Sequence, residues 1–178
     1  MKFLKDKGFV IKRVSFGESD RFITLYTQNN GKIELIAKGV KKITSRRSSH
    51  IEPFNILSFQ AVHGHKDYIL TEVELIKSSS SLKKTLEGYA SVFRMCELIE
   101  KLCPYGERNT QVFDIVISLL DEQDTRSIEE KMFVAQTQLL SSLGYWDSRK
   151  TFISSTALTR FIENIMERQM KTDQFFSI

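Results

Sequence analysis

The hydrophobic periodicity of the sequence changes at a run of four serines, residues 78–81. Before this run, apolar and polar residues alternate over short segments, as they do in half-buried β-strands. After it, apolar residues recur at the spacing of amphipathic helices. The chain of 178 residues is therefore predicted to have a β domain at residues 1–78 and a helical domain at residues 79–178.

Five strands are predicted in the first half. The sequence Gly17-Glu18-Ser19-Asp20 supplies the first turn, and Asn29-Asn30-Gly31 supplies a tight hairpin. A long polar insertion, residues 39–52, separates the third strand from the fourth. This is the outline of an OB-fold barrel, although an SH3-like barrel also has five strands. The predicted strands are residues 9–16, 22–27, 32–38, 54–62 and 68–76.

The second half is predicted to be an all-α domain, so the fold class is α+β with segregated domains. The serine run is interpreted as the N-cap of the first helix, and Ser127-Ile128-Glu129-Glu130 resembles a capping box. The predicted helices cover about residues 81–103, 112–120 and 127–143, and a fourth begins near Ser155.

The net charge of +4 is unevenly distributed along the chain. Residues 1–80 carry 14 Lys and Arg against 8 Asp and Glu, a balance of +6, whereas residues 81–178 carry 12 against 14, a balance of −2. This asymmetry favours a first domain that faces a polyanion. Because no long apolar run and no signal-peptide pattern occurs, the protein is expected to be cytoplasmic, without a membrane segment.

Motifs for catalysis, metal binding and phosphate cradles are missing from the sequence. Cys96 and Cys103 are interpreted as reduced core residues, and His63 and His65 as residues of a turn. Glu18 and Asp20 form an acidic pair, but their turn sequence favours caps for backbone groups. No catalytic residue, metal or cofactor is therefore expected.

The insertion after the third strand is basic, and no acidic residue occurs between Leu35 and Ile51. Strand alternation places Lys32, Phe22 and Tyr26 on one outer face. Cations beside aromatic platforms are typical of sites for single-stranded nucleic acid. A solvated loop, or a site for an acidic protein tail, would use the same charges. The predicted DNA-binding residues are Lys38, Lys41, Lys42, Arg46, Arg47, Lys32, Arg13, Arg21, Phe22 and Tyr26.

A series of short motifs resembles the RecO family of bacterial recombination mediators. The order and spacing of these motifs, which extend over nearly the whole chain, are the basis of the resemblance. The motifs are Gly8-Phe9-Val10, Gly17-Glu18-Ser19-Asp20-Arg21, Thr27, Gly31, Ala37-Lys38-Gly39-Val40, Tyr89-Ala90, Glu97-Leu98, Glu107, Asn109, Phe113, Leu139-Leu140-Ser141-Ser142-Leu143-Gly144-Tyr145 and Thr172-Asp173-Gln174-Phe175-Phe176.

The resemblance implies an OB barrel followed by a helical domain, and a function without catalysis. Proteins of this family bind single- and double-stranded DNA, anneal complementary strands and help to load RecA onto DNA covered by single-stranded-DNA-binding protein. The implied partners are that protein's acidic, phenylalanine-ended tail, RecR and, in some settings, RecF, with a location at the nucleoid. Arg94, Arg108 and Arg149 are the cationic candidates for the tail.

The sequence departs from this family in one respect. Many members carry a zinc-binding cysteine cluster after the Leu-Gly-Tyr region, but residues 145–150 lead to the last helix without a cysteine. Zinc is therefore not expected, which leaves open the contacts made through that module, including part of the RecR surface. The alternative function is an adaptor that binds only proteins, among them the acidic tail.

Overall fold

The computed structural model describes residues 3–42, 45, 47–121, 123–147 and 149–167. Arg46 and residues 172–176 lie outside the described residues. In the described part, five strands precede four helices, which confirms the predicted fold class. The strands are β1 (Phe3–Phe16), β2 (Asp20–Thr27), β3 (Gly31–Ala37), β4 (Ile56–His63) and β5 (Tyr68–Lys77), and the helices are α1 (Leu86–Leu102), α2 (Thr110–Leu119), α3 (Ile128–Ser142) and α4 (Ser155–Met166).

The strands form a closed barrel in the order β1-β2-β3-β5-β4, as expected for an OB-fold. Strand β1 is longer than predicted because its first half pairs with β4 and its second half with β2. A register shift between Val10 and Lys12 interrupts the pairing with β2. Strands β3 and β5 pair in parallel only at Leu35–Tyr68 and Ile36–Ile69, which closes the barrel.

The interior of the barrel is apolar because the inward positions of each strand carry aliphatic or aromatic side chains. Ile23 and Leu25 of β2 and Leu35 and Ala37 of β3 are fully buried, as alternation predicted. The other members of this core are Val10, Val40, Ile51, Leu57, Phe59, Ala61 and Leu70.

The chain divides into two compact units, and Pro104–Phe113 groups with the barrel residues Met1–Ser79. We call Pro104–Phe113 the strap. The sequence predicts these residues to be part of the helical domain, residues 79–178, because nothing in their own pattern indicates a contact with strands about 80 residues earlier. The second unit contains Ser80–Cys103 and the chain from Asp114 onward.

The strap lies along the β2–β3 hairpin. The Gly106 N–H donates to the Lys32 carbonyl at 2.9 Å, and Tyr105 forms an isolated parallel bridge with Lys32. Gly31 has a φ of +63°, and a Cβ atom there would lie 2.1 Å from the Glu107 carbonyl oxygen. The hairpin therefore requires glycine at this position both for its turn and for the close approach of the strap.

Below the strap, a second apolar cluster covers the outer face of β1 and β2. The Phe9 ring lies 5.7 Å from the Tyr26 ring, 5.7 Å from the Phe54 ring and 6.1 Å from the Phe113 ring, between centroids. Phe9, Tyr26 and Phe54 are at most 1% exposed. The first unit thus has apolar packing on both sides of its sheet at this end.

In the helical unit, α1 packs against α3 and α3 against α4. The predicted capping box at Ser127 and Glu130 is confirmed. The predicted cap at the serine run is wrong: Thr85 is the N-cap of α1 and accepts a hydrogen bond from the Gly88 N–H. Ser79 is instead buried in the first unit, where its N–H donates to the Asn55 side chain at 2.9 Å. Within the described residues, no helix combines the length and hydropathy needed to cross a membrane.

Candidate nucleic-acid interface

A groove of about 430 Å³ lies on the outer surface of the barrel, at the end where β1 and β4 finish. Phe16, Ile36 and Ile69 supply its apolar lining, and Lys38 and Lys66 supply its cations. Asp20, Gly64, His65 and Asp67 complete the lining. Apolar and aromatic surface therefore lies beside exposed cations.

The groove is where OB-folds bind extended ligands. Phe16 and Asp20 flank the β1–β2 turn, Ile36 belongs to β3, and residues 64–67 form the β4–β5 turn. OB-folds hold oligonucleotides between the face of strands 2 and 3 and these two loops. The closed barrel order brings the β4–β5 turn next to β3 through the Ile36–Ile69 pairing.

Two aromatic rings meet at the groove. The rings of Phe16 and Phe22 lie 4.5 Å apart between centroids, with an interplanar angle of 55°. Phe16 is 45% exposed and Phe22 is partly exposed. Phe22 pairs across the strands with Ile36 and Val14, so a row of apolar side chains leads from β1 to the groove. Unpaired bases can stack on such a surface whatever their sequence.

The lysines at residues 38, 41 and 42 follow β3 directly and are all exposed. Lys38 lines the groove. The Lys41 Nζ lies 3.1 Å from the Gly17 carbonyl oxygen, and the Lys41 N–H donates to the Ser19 carbonyl at 2.9 Å. These bonds hold the chain after β3 against the β1–β2 turn, which flanks the groove.

Two predicted DNA-binding residues, Tyr26 and Lys32, are covered, so the prediction that their side chains form an exposed face is wrong. Tyr26 is 1% exposed and packs on Phe9, and its hydroxyl bonds to the strap at Asn109. Lys32 is 4% exposed, and its Nζ lies 4.4 Å from the centroid of the Tyr105 ring. Both side chains do point out of the barrel, as alternation predicted, but the strap covers that face.

The predicted arginines are arranged differently from the lysines. Arg13 forms an ion pair with Glu52, and Arg21 is a partly exposed residue that pairs with Ser15 and Ala37. Arg47 donates to the Lys38 carbonyl at 2.9 Å and lines a separate depression that also contains Glu72 and Glu74. Of the predicted residues, Lys38 lines the groove, and Phe22 packs on Phe16 of its lining. Lys41 and Lys42 follow in the adjoining segment, whereas Arg13 pairs with Glu52 and Arg47 bonds to the Lys38 carbonyl.

The three arginines predicted for an acidic tail belong to different segments of the chain. Arg108 belongs to the strap and donates to the Gln28 carbonyl at 3.2 Å. Arg149 donates to both carboxylate oxygens of Asp147, at 3.0 and 2.9 Å, and this contact lowers the pKa of Asp147. Arg94 is a half-buried residue of α1.

A pocket of about 190 Å³ lies in the helical unit, between the end of α2 and α3. Leu119, Val134 and Ala135 supply its apolar lining, and Arg126 and Lys131 supply its cations. Asp124 accepts hydrogen bonds from the Arg126 guanidinium, the shortest at 2.7 Å, and these bonds lower the pKa of Asp124 to about 2. Lys131 lies 4.0 Å from the same carboxylate.

Metal-ligating groups and thiols are two features of the described part of the chain that bear on catalysis. No three His, Cys, Asp or Glu side chains there lie close enough to hold a metal ion. Cys96 and Cys103 are buried thiols, as predicted, and burial raises the pKa of Cys96 to about 12. A thiol with such a pKa stays protonated at neutral pH and is a poor nucleophile.

Sequence reasoning missed Phe16 and Lys66. A usable signal was present, because Phe16 ends a strand at an outward position and Lys66 lies in the turn between the last two strands. Once the barrel is identified as an OB-fold, these two turns are expected to line the ligand site. The predicted site instead depended on the basic residues that follow β3, which account for only one side of the ligand site.

Comparison with known proteins gives two family matches. The model for the N-terminal domain of recombination protein O matches residues 1–79, and the model for the C-terminal domain matches residues 83–146. Together they cover most of the chain, and the break between them falls near the serine run.

Curated relatives named DNA repair protein RecO match the same region. The chain is 27% identical to that of Caldanaerobacter subterraneus over 147 residues, which is 82% of this chain and 60% of the relative. It is 34% identical to that of Pelotomaculum thermopropionicum over 122 residues (67% and 47%). It is 31% identical to that of Dehalococcoides mccartyi over 144 residues (79% and 56%). The chain therefore spans about half to three-fifths of the length of these relatives.

Proposed function

Because the chain belongs to the RecO family, we propose that it is a non-enzymatic DNA-binding mediator of recombinational repair. In this proposal it binds single- and double-stranded DNA in the cytoplasm, anneals complementary strands and helps to load RecA onto DNA coated by single-stranded-DNA-binding protein. The observation that carries the proposal is the groove, where exposed aromatic surface lies beside lysines at the ligand-binding position of an OB-fold.

The proposed contacts divide by chemistry. Lys38, Lys41, Lys42 and Lys66 neutralise backbone phosphates, because each is an exposed point charge at or beside the groove. Phe16 and Phe22 supply the stacking surface for bases. Arg46 stays a predicted contact from the sequence alone.

Annealing at such a site requires no covalent bond to be made or broken. Two strands that are each partly neutralised repel one another less, while bases that stack on phenylalanine keep their pairing edges accessible. Pairing then contributes about 1.4 kcal/mol per base-pair step.

The test is a titration of single-stranded oligonucleotide at several salt concentrations. Four phosphate contacts predict a slope of about −2.8 in log affinity against log salt. The variant with Lys38→Glu and Lys66→Glu should bind much more weakly and with a smaller slope. Lys7→Glu, an exposed position on β1 that does not line the groove, is the matched control. A slope near zero, or equal losses in both variants, would rule out this site.

The proposed partners follow from the family. They are RecR, in some settings RecF, and the acidic, phenylalanine-ended tail of single-stranded-DNA-binding protein. Support for the tail comes from the pocket between α2 and α3, where an aromatic end can pack on Leu119 and Val134 while acidic residues approach Lys131. Both cations contact Asp124: Arg126 through hydrogen bonds of its guanidinium, with a side chain that is 49% exposed, and Lys131 at 4.0 Å, with a side chain that is 11% exposed. Lys131 is the less tightly held of the two.

This pocket also favours the second candidate function, an adaptor that binds only proteins. The two are separated by measuring binding to bare oligonucleotide and to an acidic peptide that ends in phenylalanine. Binding of the peptide alone favours the adaptor, whereas binding of both favours the mediator. Lys131→Glu should weaken only the peptide, and Lys150→Glu, at an exposed position of the same unit, is its matched control.

A further inference from the structure

An acidic residue, Asp20, lies in the proposed DNA groove. It is the first residue of β2, and its carboxylate Oδ1 accepts a hydrogen bond of 2.8 Å from the Gly39 N–H. Gly39 has a φ of +69°, a conformation that favours glycine, and it lies in the turn that follows β3, between Lys38 and Lys41. The carboxylate therefore fixes the point at which the basic segment leaves the barrel.

Further hydrogen bonds join the same two segments. The Lys41 N–H donates to the Ser19 carbonyl at 2.9 Å, and the Lys41 Nζ lies 3.1 Å from the Gly17 carbonyl oxygen. Three hydrogen bonds thus join residues 17–20 to residues 39–41. In the bond to Asp20 the acceptor is a side-chain carboxylate, whereas in the other two it is a backbone carbonyl. A charged acceptor makes a stronger bond than a neutral carbonyl.

We infer that Asp20 is a positioning residue for DNA binding, which holds residues 38–42 against the β1–β2 turn so that their lysines face phosphate at the groove. The inference rests on the proposed function. It gives a role to a carboxylate whose charge by itself would repel DNA. Ordering the lysine segment before DNA arrives reduces the entropy lost on binding.

The inference predicts that loss of the Asp20 side chain weakens DNA binding, whereas loss of a negative charge alone would strengthen it. Removal of any carboxylate near a bound polyanion should strengthen binding, by about twofold for one charge at about 10 Å in water. Asp20→Asn removes the charge but keeps a side-chain oxygen that can accept from Gly39. Asp20→Ala removes both. Glu18→Gln removes a charge from an exposed position of the same turn and is the matched control.

The experiment measures binding of single-stranded oligonucleotide by the full chain for all three variants, with a thermal melt of each. Asp20→Asn and Glu18→Gln should bind as tightly as the parent chain or up to about twofold more tightly. Asp20→Ala should bind about three- to tenfold more weakly than Asp20→Asn, because the side-chain acceptor for the Gly39 N–H is lost. Equal affinity of Asp20→Ala and Asp20→Asn overturns the inference.

A second measurement needs no DNA. Limited trypsin digestion, followed by mass spectrometry, reports how often Lys41 and Lys42 detach from the turn. Asp20→Ala should be cut there several times faster than Asp20→Asn, and unchanged cleavage overturns the positioning role. If the Lys38→Glu, Lys66→Glu variant binds DNA normally, the proposed site itself fails. If that variant binds weakly but the Asp20 variants match one another, only the positioning role fails.

Discussion

Tyr26 and Asn109 lie 83 positions apart in the sequence and exchange two hydrogen bonds: the Tyr26 hydroxyl donates to the Asn109 carbonyl at 3.2 Å and accepts from the Asn109 N–H at 3.1 Å. One phenol therefore satisfies both backbone groups of a strap residue. Because the ring also packs on Phe9, Tyr26 joins the barrel to the strap through apolar and polar contacts together. The same contacts remove it from any surface that DNA could reach.

The first prediction concerns the stability of this junction. Tyr26→Phe keeps the ring but leaves both Asn109 groups without the phenol, so the free energy of unfolding should fall by about 1 to 2 kcal/mol. Urea denaturation measures the change. DNA affinity of the folded protein should not change. Tyr145→Phe, on an exposed ring, is the control, and a similar loss of stability in that variant would contradict the assignment.

The second prediction distinguishes the role of Lys32, a residue of β3, from that of Lys38, the residue that follows β3. Lys32 is covered and lies over the Tyr105 ring, whereas Lys38 is exposed at the groove. Lys32→Met should lower stability by about 1 kcal/mol through loss of the cation–π contact. It should leave the salt dependence of DNA binding unchanged. Lys38→Met should leave stability unchanged. It should reduce the slope of log affinity against log salt for single strands by about 0.7.

Comparison of these two lysines shows what local pattern can and cannot predict. Alternation correctly placed both Leu35 and Ala37 inside the barrel and Lys32 outside it. Whether an outward residue is exposed depends on what covers it, and here the cover is a segment more than 70 positions later. No periodicity in β3 carries information about Tyr105, so the covered state of Lys32 could not be predicted.

Only the part of the candidate site that depends on neighbours in the sequence was predictable. The lysines at residues 38, 41 and 42 are adjacent in sequence, and their clustering follows from chain continuity. Phe16 and Lys66 reach the groove only through barrel closure, in which β3 and β5 pair in parallel at Ile36 and Ile69. The pairing of Arg13 with Glu52, 39 positions away, is equally non-local.

The third prediction is a pH dependence in the helical unit. Hydrogen bonds from Arg126 lower the pKa of Asp124 from 3.8 to about 2. Because the pKa is lower in the folded state, the ionised carboxylate stabilises the fold above pH 4, and this contribution is lost as the pH falls from about 4 to about 2. The effect should be small because the pair is near solvent. Thermal melts of Asp124→Asn and the parent chain should therefore differ at pH 7 and converge near pH 2.

Asp114→Asn, at an exposed position of α2, is the matched control for loss of one carboxylate. A difference between Asp124→Asn and the parent chain that persists unchanged to pH 2 would show that the side chain acts through its shape. It would then exclude a contribution from its charge.

The fourth prediction tests the stacking surface. Phe16→Ala removes an exposed ring at the groove, and one base–aromatic stack contributes about 1 to 3 kcal/mol, so affinity for single-stranded DNA should fall about tenfold or more. Duplex DNA should lose less, because its bases are already stacked on one another. Phe3→Ala removes a ring that is 57% exposed on the same strand and does not line the groove. Fluorescence anisotropy with both DNA forms measures the four affinities, and an equal loss in the two variants would place the bases elsewhere on the barrel.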